Sequence, residues 1–220
     1  MSFLFSFSVK FNFGSGTVKP HRVTQVTSRK GIKMKNKKTF TKKLCVTAIL
    51  IALGSVLSLI KVYEMPLGGS VTLLSMLPIV MIPLMYGTSW GLVGAFMYSA
   101  VQLMFGIFID GLLGWGLSLG YVIGAIIFDY LLAFTVLGFA GVFKNLGVKG
   151  IVLGIVLAMV LRFLSHLVSG GIFFASWTDW DNVWLYSICY NGAYMLPEMV
   201  ITSLSAVLVF KNPQIKRLYN

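Results

Sequence analysis

Residues 150–175 read GIVLGIVLAMVLRFLSHLVSGGIFFA, and within this run only Arg162 and His166 are ionisable. A helix needs about 20 predominantly apolar residues to cross a hydrocarbon core roughly 30 Å thick, and this stretch is longer than that. Five further apolar stretches lie at 44–62, 71–87, 91–109, 117–142 and 184–210. Turn-forming sequence separates them, as in Pro66-Leu67-Gly68-Gly69-Ser70, Asp110-Gly111 and Thr178 to Asn182. The pattern predicts an all-α membrane protein with six transmembrane helices in a compact bundle over 44–212. Pro78 and Pro83 fall in the second stretch, where membrane helices accept proline if neighbours satisfy the freed carbonyls.

Composition points the same way. Of the 220 residues, 57% are hydrophobic and 11% charged, with only six acidic. Soluble domains carry about a quarter charged residues, so a lipid bilayer must be the solvent for most of this surface. The net charge of +12 suggests nucleic acid until the positions are read: eleven of the eighteen Lys and Arg lie between Lys10 and Lys43. No basic face on a folded domain is visible, and no nucleic-acid partner is expected. Segment 1–43 reads as a basic, disordered cytoplasmic extension, and 213–220 as a basic tail. Met34 opens MKNKKTFTKKL, an ordinary membrane-protein start, which marks 1–33 as a candidate annotation extension rather than translated chain.

The loops set orientation. The N-terminal segment, Lys144 with Lys149, and the tail with Lys211, Lys216 and Arg217 are basic and fall on one side of six spans. Asp110, Asp179 and Asp181 fall on the other, with Lys61 as a small dissent. The positive-inside rule then places both termini in the cytoplasm of a multi-pass cell-membrane protein. Cys45 and Cys189 lack metal-site or disulfide spacing and are expected to be small buried side chains.

Ionisable groups inside a span are costly and mark function. Four stand out, all in the C-terminal half: Asp129, Arg162, His166 and Glu198. Arg162, His166, Gly170 and Phe174 recur every four residues and share one helical face. That stripe is either a packing face or one wall of a ligand site, with Gly170 allowing close approach. Asp129 beside Tyr130 offers a carboxylate near aromatic faces, suited to an organic cation; the competing role is a charge pair with Arg162. Tyr186 and Asn191 offer hydroxyl and amide groups for a heterocycle, while Glu198 either joins the ligand site or neutralises Arg162. Ala48 and Ala52 form a small-xxx-small step on the first helix, where another helix could pack closely. No P-loop is present, so ATP is not hydrolysed here through one.

The run Leu161 to Gly170 (LRFLSHLVSG), Asp129-Tyr130, the Tyr186-to-Asn191 spacing and MPLGGSVTLLSMLPI from Met65 resemble the thiamine-specific substrate-binding subunits of energy-coupling-factor vitamin transporters. The resemblance runs from about Leu44 to the C-terminus. It implies a six-helix protein, not an enzyme, that takes thiamine from outside and works with a separate transmembrane coupling subunit and two ATPase subunits. No cofactor is implied. The vitamin pocket would fall on Asp129, Tyr130, His166, Gly170, Tyr186 and Asn191, with Phe174 or Trp177 supplying a stacking ring, and the coupling subunit would dock at Ala48 and Ala52. Some members carry Glu at the position of Asp129, Trp at that of Phe174, and an aromatic residue in the first outer loop, where this chain has Gly68-Gly69-Ser70. Three alternatives stay open: the same scaffold with a thiamine precursor or another small vitamin, a stand-alone secondary transporter, and an intramembrane enzyme built on Ser165 and His166.

Overall fold

The computed structural model describes residues 24–65 and 69–215, with side chains from Thr39 onward. Two compact units divide the chain, 1–41 and 42–220. In the first, the described residues from Thr24 onward are helical. Residues 1–23, with most of the candidate extension, lie outside the described residues.

Among the described residues, six helices of more than ten residues build the fold. They are α1 (Thr24–Ser58), α2 (Met76–Tyr86), α3 (Thr88–Phe108), α4 (Leu119–Gly141), α5 (Gly147–Phe173) and α6 (Val183–Lys211). Five contain segments long and apolar enough to cross a membrane, that of α1 being Thr39–Ser58. The second apolar stretch divides differently from expectation. Its first residues form strand β2 (Ser70–Thr72), antiparallel to β1 (Lys61–Glu64), and only 11 residues remain for α2. At 1.5 Å per residue such a helix is about 16 Å long, roughly half a hydrocarbon core.

α2 is short because it is a core element. Ile79, Val80 and Ile82 are fully buried, and they pack with Ala95 and Tyr98 of α3, Leu137 and Ala140 of α4, and Ile155 and Met159 of α5. A helix that is apolar all round belongs inside a protein or inside lipid, and hydropathy cannot tell the two apart. Close crossings surround it. A Cβ on Gly91 would strike Pro83, and one on Gly154 would strike the Ala140 carbonyl, so bare backbone lets these helices touch.

α4 is not a regular α-helix. Its centre, Ile126–Leu132, is wound as a π-helix, and its end, Val136–Gly141, tightens to a 3₁₀-helix. Wide turns of this kind recur at functional sites, and Asp129 and Tyr130 sit in this one. Cys45 and Cys189 are exposed rather than buried: a small apolar side chain is equally at home against lipid.

Candidate functional site

α5 and α6 run antiparallel and carry most of the site. Going inward, α5 presents Phe174 at its C-cap, then Gly170, His166 and Arg162; α6 presents Tyr186, Tyr190, Tyr194 and Glu198. Both rows follow the four-residue repeat of one helical face, so the two helices form facing walls. Between them and the π segment of α4 lies a cavity of about 200 Å³. One water needs roughly 10–15 Å³ by the same measure, so the space suits a small organic molecule.

The middle of the cavity holds Asp129. Its Oδ1 lies 2.9 Å from His166 Nδ1, and its Oδ2 accepts a 2.5 Å hydrogen bond from Ser169 Oγ. An ionised carboxylate only accepts, so a neutral imidazole in this contact carries its proton on Nδ1 and leaves Nε2 as an acceptor. That Nε2 is buried and has no hydrogen-bond partner among the described residues. Tyr130 lies across bare Gly106 of α3, where a Cβ would collide with the tyrosine ring. Asp129 is therefore not paired with Arg162.

The deep end is a second polar centre. Arg162 Nη1 lies 3.5 Å from Glu198 Oε2, with side chains 7% and 2% exposed. The guanidinium stacks on Phe134 at 4.6 Å. Thr72 of β2 donates a short hydrogen bond to Glu198 Oε1 and lies 2.5 Å from Ser75 Oγ. Glu198 thus neutralises Arg162 and also lines the cavity.

At the opposite end, Trp115, Phe174 and Trp177 form an aromatic cluster with centroids 5.4–6.0 Å apart. Trp115 and Phe174 face the cavity, while Trp177 packs behind them. Lys61 bonds Glu64 at 2.7 Å and Asp110 at 3.4 Å. Its hydrogen bond to Glu64, with the Asp110 charge, pushes the Lys61 amine above its usual range.

Asp129, Tyr130, His166, Gly170, Phe174, Tyr186 and Asn191 all line this cavity. Two have different neighbours from those their sequence suggested. Gly170 makes room for Ser187, whose Oγ a Cβ would strike. Asn191 is bonded mostly within α6: its Nδ2 donates to the Ser187 carbonyl at 2.9 Å and, at 3.5 Å, to the His166 carbonyl of α5, and its Oδ1 accepts from Tyr194 at 2.8 Å. Ser165 donates to the Phe128 carbonyl at 2.5 Å, so its proton points at α4 and not at His166.

Several wall residues were not legible. Trp115 follows the turn after α3, between Gly114 and Gly116, with no helical period to mark it. Tyr190 differs from its neighbours only by lying one turn between Tyr186 and Tyr194, which a period-four count would have found. Ser58, Thr72, Ser75 and Gln102 come from the first half of the chain, which holds none of the four ionisable residues singled out in the sequence, and their polarity is carried by uncharged groups.

A family model described as thiamine transporter protein (Thia_YuaJ) matches residues 44–217. The chain belongs to this thiamine transporter family. It is similar to the thiamine transporter ThiT of Bacillus subtilis (strain 168), at 28% identity over 183 residues, covering 76% of this chain and 90% of that protein. Its fold is that of ThiT from Listeria monocytogenes, with a TM-score of 0.64 and 22% identity over 79% of this chain and 96% of the other. Membership of this thiamine transporter family and five helices of spanning length make it a multi-pass cell-membrane protein.

Proposed function

We propose that the chain is the substrate-binding subunit of an energy-coupling-factor importer, taking thiamine with high affinity from the outer face. It hands the vitamin on through a separate transmembrane coupling subunit, with ATP hydrolysis on two ATPase subunits, and needs no cofactor. Both termini face the cytoplasm in this reading, so the cavity opens outward at Trp115 and Lys61.

One observation carries the ligand assignment: among the described residues Asp129 is the one cavity carboxylate not paired with a lysine or arginine, and it is set among rings within a cavity of small-molecule size. Thiamine joins a permanently cationic thiazolium to an aminopyrimidine. Asp129, held by His166 and Ser169, supplies the countercharge. Phe174 and Trp115 supply faces for cation–π attraction, with Tyr130 and Tyr186 completing the walls. Trp177 holds Phe174 in place rather than touching the ligand, and Gly170 and Asn191 shape the α5–α6 wall.

Titration calorimetry of the purified protein with thiamine, repeated with Asp129→Asn, tests this. The expected result is one site tighter than micromolar that weakens about ten- to a hundredfold in the variant, the size of one charge-assisted contact. No heat of binding at micromolar thiamine overturns the ligand assignment. Tighter binding of the hydroxymethylpyrimidine fragment would reassign the site to a precursor, and thiamine uptake by the chain alone in liposomes would make it a secondary transporter.

A further inference from the structure

The chain has six acidic side chains, and none lies where α2 turns into α3. Glu64 and Asp110 bond Lys61, Glu198 faces Arg162 and Asp129 faces His166. Asp179 and Asp181 follow α5, whereas Lys144 precedes it; a helix of 27 residues separates them by about 40 Å. Two lysines meet at the α2–α3 turn. Lys43 Nζ stands over the Tyr86 ring, 5.6 Å from its centroid, and Lys144 Nζ would lie 3.6 Å from a Cβ on the next residue, Gly87. Gly87, at φ 94°, bears no side chain that would cover the ammonium. Lys43 and Lys144 are both half-buried, while Lys42, Lys149 and Lys211 are exposed. Among the described residues neither Lys43 nor Lys144 has a carboxylate partner. Like charges brought together and partly removed from water call for an anion.

We propose that Lys43 and Lys144 form a seat for the headgroup of an anionic phospholipid at the α2–α3 turn. Depth selects a lipid over a soluble anion. Lys43 is the last charge before an uncharged run that reaches Ile60, and Lys144 opens the apolar segment Lys144–Phe173. Lysines at the ends of spans carry their ammonium groups into the interface, where lipid phosphates lie. Leu44 beside Lys43, and Val142, Phe143 and Leu146 around Lys144, are exposed and offer acyl chains an apolar surface. The lipid phosphate accepts hydrogen bonds from both ammonium groups. A zwitterionic headgroup brings its own cation to the same place and gains less. The proposal goes beyond the importer reading and does not depend on what the cavity binds.

Phosphatidylglycerol and phosphatidylcholine with the same acyl chains are titrated into the purified chain in a nonionic detergent. Native mass spectrometry counts the lipids retained. Lys43→Gln with Lys144→Gln is compared with Lys42→Gln with Lys149→Gln, which removes the same charge from exposed lysines outside the seat. Helical content and the melting temperature without added lipid establish that both double variants fold. The unaltered chain should retain phosphatidylglycerol in preference to phosphatidylcholine. The Lys43 and Lys144 pair variant should bind phosphatidylglycerol about ten- to thirtyfold more weakly, two lysines' worth of attraction to an anionic surface. The control pair should stay within about threefold of the unaltered chain, as exposed charges are screened.

Equal retention of the two lipids by the unaltered chain overturns the proposal, and so does an equal loss in both double variants, which would make the attraction a diffuse surface charge. Glycerol 3-phosphate, the headgroup chemistry without acyl chains, is the third probe. If it displaces phosphatidylglycerol at comparable concentration, the seat belongs to a soluble anion and the lipid assignment falls. If the Lys43 and Lys144 double variant does not fold, each single variant carries the test with an expected loss of about fivefold, and no loss in either overturns the proposal. Thiamine titration is unaffected by any of these outcomes, so failure here leaves the ligand reading standing, and the reverse holds as well.

Discussion

Gly170 shows how a residue at the cavity wall can serve the frame of the site. Its missing side chain is filled by Ser187 Oγ, which donates to the Leu167 carbonyl at 3.0 Å and accepts from Asn191 at 3.2 Å. Gly170→Ala drives a methyl group into that hydroxyl and is expected to cost about 1–3 kcal/mol, the usual penalty of overpacking, read as a lower melting temperature in detergent. Adding Ser187→Ala removes the colliding oxygen and should restore most of the loss. If it restores nothing, Ser187 is not what fills the space. Single residues were legible where chemistry is rare: a carboxylate, a guanidinium and an imidazole in apolar helices announce themselves. Their partners were not, because four ionisable groups allow several pairings. Only the fold decides that Asp129 meets His166 and that Glu198 meets Arg162.

At the scale of elements, the wide turn of α4 and the β1–β2 hairpin bear on the site most directly. The π segment Ile126–Leu132 directs Asp129 toward His166 of α5 and Tyr130 toward Gly106 of α3, and Ile127 within it is exposed. Deleting Ile127 lets α4 wind as an ordinary helix and re-aims both side chains. Thiamine affinity should fall to the level of Asp129→Asn, while α-helical content by circular dichroism stays unchanged; full affinity in the deletion would mean the wide turn has no part in the site. The hairpin carries Lys61, bonded to Glu64 and Asp110. Its raised pKa means that this contribution is complete below the ordinary lysine value and fades only as pH climbs through the higher one. The pairs lie at the protein surface, where solvent screens them, so Lys61→Gln should cost at most about 1 kcal/mol. Melting curves of this variant and the unaltered chain should keep a constant offset from pH 6 to 9, and a gap that closes within that window would contradict the pairing. Neither element was legible. Hydropathy saw the apolar runs, but a π turn leaves no periodic mark over seven residues, and the hairpin hid in what read as the end of one span and the start of the next.

For the whole molecule, the cavity leaves one face of α1 unused. Ala48, Ile49, Ala52, Leu53 and Val56 are exposed, while Thr47, Leu50, Gly54 and Ser55 turn inward. On the importer reading the small-residue stripe is where the coupling subunit lies, because alanine lets two helix backbones come close. Ala48 and Ala52 are not among the residues that line the cavity, so docking and binding are separable. Ala48→Trp or Ala52→Trp should leave thiamine affinity of the isolated chain within about twofold, a shift of less than 0.5 kcal/mol. The same variants should fail to co-purify with the coupling and ATPase subunits and should support little ATP-driven uptake in proteoliposomes. Weakened thiamine binding in the isolated variants would place the stripe within the frame of the cavity, and normal assembly with normal uptake would move the docking surface elsewhere on the protein. Either result also bears on the division of labour between the two halves of the chain. Gln102, Thr72 and Ser58 bring the first half into the cavity wall, so on the importer reading the first half both lines the cavity and offers the partner the exposed face of α1.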